Sequence, residues 1–210
     1  MAKKTGRRRG GFIVIEGPDG CGKTTQARRL VNHLGRSGRR ALLLREPGGT
    51  EVGERIRRVL LNPRSKMSFE TELLLYMASR AQLVREVILP ALDAGRDVVC
   101  DRFLLSSLVY QGYAGGLDIE ALKTIGYFAA GGVQPDATFV LKLPLSVAMR
   151  RRRKTPDRIE SRAQAFHRKV MRGYIALAKE NPERIFIIDS TRPVNAVQQE
   201  IRDIVGKMLP

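Results

Sequence analysis

Two periodicities divide the chain. Compact, largely apolar runs at positions 12–16, 41–45, 97–101, 137–142 and 184–189 read as short strands of a sheet covered on both faces. Between them, apolar residues recur at helical spacing over about 24–36, 51–61, 70–92, 104–112, 119–130, 145–153, 160–180 and 194–208. Strands that alternate with helices are joined by crossovers and run parallel. The pattern therefore predicts an α/β fold of three layers, with a central five-stranded, mainly parallel sheet between helices.

Periodicity fails at two basic segments. Residues 1–11, MAKKTGRRRGG, carry five cations and three glycines. They read as a flexible tail, either a solubilising end or an arm for RNA or another polyanion. A second run, Arg150-Arg151-Arg152-Arg153-Lys154, is followed by Thr155 and Pro156. Proline disfavours helix at its predecessor, so the helical stretch breaks there and 150–160 reads as a mobile basic lid on one domain spanning 12–210.

Charge narrows the partners. Against 21 acidic residues stand 38 Lys and Arg, a net +17, which favours nucleotides, nucleic acid or an anionic surface. A hydrophobic content of 43% excludes wholesale disorder. No apolar run approaches a membrane span, and the first, at 12–15, is too short for a signal peptide. Only Cys21 and Cys100 are present, which argues for a reducing, cytoplasmic setting. His33 and His167 lack cysteine partners, so no zinc site is expected.

The strongest chemical signal is Gly17-Pro18-Asp19-Gly20-Cys21-Gly22-Lys23-Thr24, which fits G-x-x-x-x-G-K-[ST] between a strand and a helix opening at Thr25. In such a P-loop, backbone N–H groups and a helix N-terminus cradle phosphates. Lys23 would reach the β- and γ-phosphates of ATP, and the Thr24 hydroxyl would help hold Mg²⁺. No N-K-x-D element is present to read guanine, and the chain is small for a motor. Phosphoryl transfer to a small acceptor is the leading class.

Four further segments point to the acceptor: Arg45-Glu46-Pro47-Gly48-Gly49-Thr50, Leu73-Leu74-Leu75-Tyr76-Met77-Ala78-Ser79-Arg80, Asp101-Arg102-Phe103 through Ser106, Tyr110, Gln111 and Gly112, and the lid with Asp157-Arg158-Ile159-Glu160. Together with the cradle they resemble the thymidylate kinase family of nucleoside monophosphate kinases, from Phe12 to about Val205. The resemblance implies transfer of the ATP γ-phosphoryl to dTMP, giving dTDP, with Mg²⁺ and a homodimer packed through helices. It assigns Arg45 and Arg102 to the dTMP phosphate, Asp101 to Mg²⁺, and Asp19 to the sugar 3′-OH. It stacks Tyr76 on thymine, lets Arg80 donate to thymine O4, and sets Tyr110 against the sugar 2′ position, with Ser106 and Gln111 in the same pocket. A lid arginine, Arg153 or Arg151, would reach the transferring phosphoryl, and Arg192 in the turn 189–193 would cup adenine.

Phe103 and Lys142 depart from the common family pattern, as does Tyr76, where phenylalanine is usual. Cys21 occupies a cradle position usually filled by a small residue and reads first as sterically tolerated; the alternative is that inward-pointing amides lower its thiol pKa and make activity oxidant-sensitive. Two other classes remain: a different small-molecule P-loop kinase, and a nucleic-acid-binding protein with a vestigial nucleotide site.

Overall fold

A computed structural model describes residues 9–151 and 155–209. Five strands, β1 (Phe12–Glu16), β2 (Ala41–Arg45), β3 (Asp97–Asp101), β4 (Ala137–Lys142) and β5 (Ile185–Asp189), form one sheet in the order β2-β3-β1-β4-β5. Every pairing is parallel. β1 sits at the centre, and all five of its residues are buried, as a strand covered on both faces requires.

Alternation along β1 divides the core. Ile13 and Ile15 pack with Phe139 and Leu141 against α1 (Lys23–Arg36) and α9 (Val194–Met208). Phe12 and Val14 point the other way, to Leu83, Val84, Ile88 and Leu92. Those residues belong to α3 (Phe69–Leu83), which runs through a π-helical stretch, Val84–Ile88, into α4 (Leu89–Asp93). A third cluster joins α3 to α8 (Gln164–Glu180) through Leu73, Met77, Val170 and Tyr174. The remaining helices are α2 (Glu51–Leu61), α5 (Leu104–Ser107), α6 (Ile119–Ala129) and α7 (Leu145–Arg150).

Local chemistry explains the boundaries. Thr50, Ser68 and Asp118 cap α2, α3 and α6 by accepting from the backbone N–H groups of Gly53, Thr71 and Ala121. The stretch expected at 104–112 is α5 followed by a π-helical segment, Leu108–Ala114, whose wide turns bury Tyr110 and Gln111 beside the cleft. The helix expected from 160 begins instead at Gln164. The Asp157 carboxylate holds the N–H groups of Ile159 and Glu160 in a tight turn, and the chain reaches α8 only after it. Arg184, expected in β5, lies in the preceding turn, where its N–H bonds to the Asn181 carbonyl.

Most of the basic tail, residues 1–8, lies outside the described residues. Its last two glycines do not behave as a tail. Gly10 and Gly11 are buried, and their N–H groups donate to the Leu92 carbonyl and to Asp97. A Cβ on Gly10 would stand 1.9 Å from the Arg96 carbonyl oxygen, so only glycine fits that approach.

Phe139 lies fully buried in β4 and stacks on Phe186 at 5.6 Å. Phe139→Ala should therefore cost about 3–5 kcal/mol, read as a lowered urea midpoint at unchanged slope.

Candidate active site

The carboxyl ends of β1, β2 and β3 open on one cleft of about 1080 Å³. This is where a parallel sheet binds ligands. The cradle follows β1 directly. Gly17, Gly20 and Gly22 have φ of 134°, 83° and 97°, values that side-chain-bearing residues rarely adopt. Gly22 is the N-cap of α1, so the cradle's amides continue into the helix N-terminus. Lys23 folds back over the loop, with Nζ 2.9 Å from the Pro18 carbonyl oxygen and 3.5 Å from Asp19 Oδ1.

β3 brings the next groups to the cradle. Thr24 Oγ1 donates to Asp101 Oδ2 at 2.5 Å, joining the two oxygens expected to share a metal. Arg102 adopts φ of 74°, the only positive value at a non-glycine position among the described residues. That strained turn is held by its N–H donating to the Ile15 carbonyl. The Arg102 guanidinium reaches Asp19 at 2.6 Å and Ser106 Oγ at 3.1 Å, and lies 5.3 Å from the Tyr110 ring centroid. Burial alone would lower its pKa, but Tyr110, Asp19 and Tyr174 raise it well above the usual range. The cation is permanent.

Arg45 lies at the end of β2, exposed and only weakly paired with Glu54 at 3.4 Å. Beside it stands Arg57, whose Nη1 donates to the Pro47 carbonyl at 2.8 Å. Burial and the nearby Arg45 lower the Arg57 pKa. Sequence reasoning passed over Arg57 among neighbouring arginines. The signal was its place on the buried face of α2, in line with Gly53 and Leu60 at helical spacing.

Tyr76, Ser106, Tyr110 and Gln111 all line the cleft. Arg80 does not. It is 1% exposed and clamps Glu46, with Nε at 2.9 Å and Nη2 at 2.6 Å from Oε2, while Nη1 is turned to Met77 Sδ. Burial pushes Glu46 up to about 7 despite that partner. Ser79 accepts from the Gly48 N–H, so Ser79 and Arg80 together fix the loop that follows Arg45. Phe103 packs in the core, edge-on to Phe12 at 5.0 Å and beneath Arg80 at 5.1 Å.

Another buried carboxylate, Glu16, was unmarked in the sequence reading although it closes an apolar run. It accepts from the N–H groups of Phe103 and Ser106, the Ser106 hydroxyl and the Tyr174 hydroxyl. Those bonds fix the turn that presents Asp101 and Arg102.

At the far side, Ser190, Arg192, Val194 and Val197 line the cleft after β5. Arg192 Nε donates to the Asp189 carbonyl at 3.2 Å, and its Nη2 pairs with Glu200. Arg151, at the end of α7, lines the cleft beside the cradle, and a Cβ on Gly20 would meet its Cβ at 3.3 Å. Arg153, with Arg152 and Lys154, lies outside the described residues.

The oxidant-sensitive alternative for Cys21 is not supported. Burial pushes its thiol pKa up, outweighing the pull of Lys23 and Arg102. Cys100 is pushed up further, again by burial. Among the described residues, no group of three or more His, Cys, Asp and Glu side chains could hold a metal ion. No helix there is long and apolar enough to cross a membrane. The pairing of Thr24 with Asp101 still fits a hard cation whose other ligands are phosphate oxygens and water.

Both thiols should resist iodoacetamide at pH 7.5 in the native protein and react once it is denatured. Mass spectrometry of the alkylated peptides checks this.

The family model for thymidylate kinase matches residues 15–201. A thymidylate kinase of Thermoanaerobacter sp. (strain X514) is 48% identical over 202 residues, covering 96% of this chain and all of the relative. One from Deinococcus radiodurans is 45% identical over 192 residues, 90% of this chain and 93% of that protein. The crystal structure of thymidylate kinase from Ehrlichia chaffeensis superposes with a TM-score of 0.77 at 29% identity, over 94% of this chain and 99% of that one. These matches agree with the P-loop, the parallel sheet and the cationic cleft, and they do not favour a different small-molecule kinase or a nucleic-acid-binding protein. The chain belongs to the thymidylate kinase family, and it is an ATP-dependent phosphotransferase that phosphorylates dTMP.

Proposed function

We propose that ATP and dTMP meet in this one cleft and that the γ-phosphoryl passes directly between them, yielding ADP and dTDP for dTTP synthesis. The observation that carries this reading is the Arg102–Asp19 pair at 2.6 Å, which joins the strand end facing the acceptor to the cradle facing the donor. The acceptor is a phosphate oxygen already anionic at neutral pH, so no general base is required. What the chain must supply is alignment and relief of charge repulsion.

The cradle amides from Gly17 to Thr25 and the Lys23 ammonium bind the donor's β- and γ-phosphates, and Arg192 flanks its adenine. Arg45 and Arg102 bind the dTMP phosphate, and the neighbouring Arg57 joins them there. Their planar forks suit two phosphate oxygens at once. Asp19 accepts from the sugar 3′-OH, and Tyr110 crowds the 2′ position against ribonucleotides. Tyr76 stacks on thymine, while Ser106 and Gln111 complete the pocket. Arg80 would reach the base edge only by releasing Nη1 from Met77 Sδ, since Glu46 and Ser107 engage its other nitrogens.

Thr24 and Asp101 would hold Mg²⁺, which when bound neutralises charge on the β- and γ-phosphate oxygens. The segment 150–160 acts as the lid. Arg151 or Arg153 then supplies the cation over the transferring group, and Arg151 already lines the cleft beside the cradle.

The chain also works as a homodimer. Leu74 on α3 is 58% exposed, and Tyr127 and Phe128 on α6 are 56% and 86% exposed. α3 and α6 pack against each other, and these exposed apolar side chains are the ones a second copy would cover. The two free cysteines accord with a cytoplasmic setting.

Coupled ADP-release assays with dTMP, dUMP, UMP and thymidine test the reading. Turnover should be highest with dTMP, and phosphorylation of thymidine but not dTMP would overturn it. Lys23→Ala and Arg102→Ala should each lower kcat by about 10²–10³-fold with unchanged circular dichroism. Arg57→Ala should raise the KM for dTMP about tenfold, through loss of a charge-assisted contact, with little change in the KM for ATP.

A further inference from the structure

Glu72 is fully buried on α3, and the mechanism above gives it no part. Its Oε1 accepts from Gln111 Nε2 at 2.7 Å. Its Oε2 accepts from Nη2 of both Arg158 and Arg162, the latter at 2.6 Å. Neither arginine is free to wander. Arg158 Nε donates to the Leu60 carbonyl at 2.7 Å. The Arg162 guanidinium lies 4.6 Å and 4.5 Å from the ring centroids of Phe69 and Phe166. The carboxylate is held from behind, so its remaining face has a fixed direction.

A carboxylate accepts hydrogen bonds and donates none. It therefore decides which end of the Gln111 amide turns towards it: the NH₂ end. Gln111 Oε1 is then left buried and without a hydrogen-bond partner among the described residues. The residue itself forms the cleft wall with Tyr76, Ser107 and Tyr110. A buried acceptor left unmet is costly, and a ligand N–H would meet it.

We propose that Glu72 is a specificity-determining positioning residue: by fixing the Gln111 amide, it makes the cleft demand a hydrogen-bond donor on the pyrimidine ring. The inference rests on the base lying against Tyr76 as proposed above. Thymine carries such a donor at N3, whereas cytosine presents a lone pair there and would oppose one acceptor with another. An untethered amide would turn over and serve either base. Discrimination thus resides in the pairing of Glu72 with Gln111, not in Gln111 alone.

The test compares kcat/KM for dTMP and dCMP in the full chain and in Glu72→Gln. The new side chain has the same size, but its amide can donate as well as accept, so Gln111 is released to turn. The dTMP-over-dCMP preference should fall about 10- to 100-fold. If both nucleotides lose activity equally and the preference stands, Glu72 serves packing alone and the proposal is overturned. Should Glu72→Gln fail to fold, Gln111→Leu carries the test, because it leaves Glu72 with both arginines. Its preference must fall over the same range, and an unchanged preference overturns the proposal. Failure of the unaltered protein to prefer dTMP over dCMP would instead refute the placement of the base, before any variant is compared.

Discussion

Cations gathered to receive two sets of phosphates repel one another unless anions of the protein stand between them. Here Asp19 accepts from both Lys23 and Arg102, so the ammonium of the donor site and the guanidinium of the acceptor site share one carboxylate. Partial burial makes this arrangement effective, because charges removed from water interact more strongly. It also ties the two halves of the cleft to a single loop. A shift of the cradle is a shift of Arg102.

Behind that surface, three buried carboxylates fix the segments that present the chemistry. Glu16 holds the turn carrying Asp101 and Arg102, Glu46 receives Arg80 beneath the loop that follows Arg45, and Glu72 binds Gln111 and two arginines, one within the lid and one just after it. Each is buried from solvent, so each needs partners in place before burial is tolerable. Glu16 and Glu72 take partners from segments that line the cleft, and Glu46 itself belongs to the loop that Arg80 holds. Fold and site are therefore specified by the same bonds, which suits a reaction whose catalysis is mostly alignment.

The strands and the cradle were legible because their signals are local. A buried parallel strand is a run such as Phe12–Glu16, and a P-loop is defined by spacing alone. The helix periodicity over 70–92 was also correct in extent but concealed the π-helical turns, which leave the apolar pattern intact while changing its pitch. Charged residues were harder. Arg158 follows a basic run and reads as another cation for phosphate, yet it turns to Glu72, 86 residues away in sequence. The family resemblance makes Arg80 a base contact, yet its main partner is Glu46 on another element. Such pairings are long-range, and one sequence holds no local trace of them beyond an acid or a base in an apolar setting.

The central claim is that donor and acceptor phosphates lie in line in one cleft and exchange the phosphoryl group without a covalent enzyme intermediate. It is tested most directly by the stereochemical course of transfer, using ATP made chiral at the γ-phosphorus with a sulfur and an oxygen isotope. A single direct displacement inverts the configuration at phosphorus, and that is the predicted result. Net retention would mean two displacements through a group on the protein, and would contradict the account.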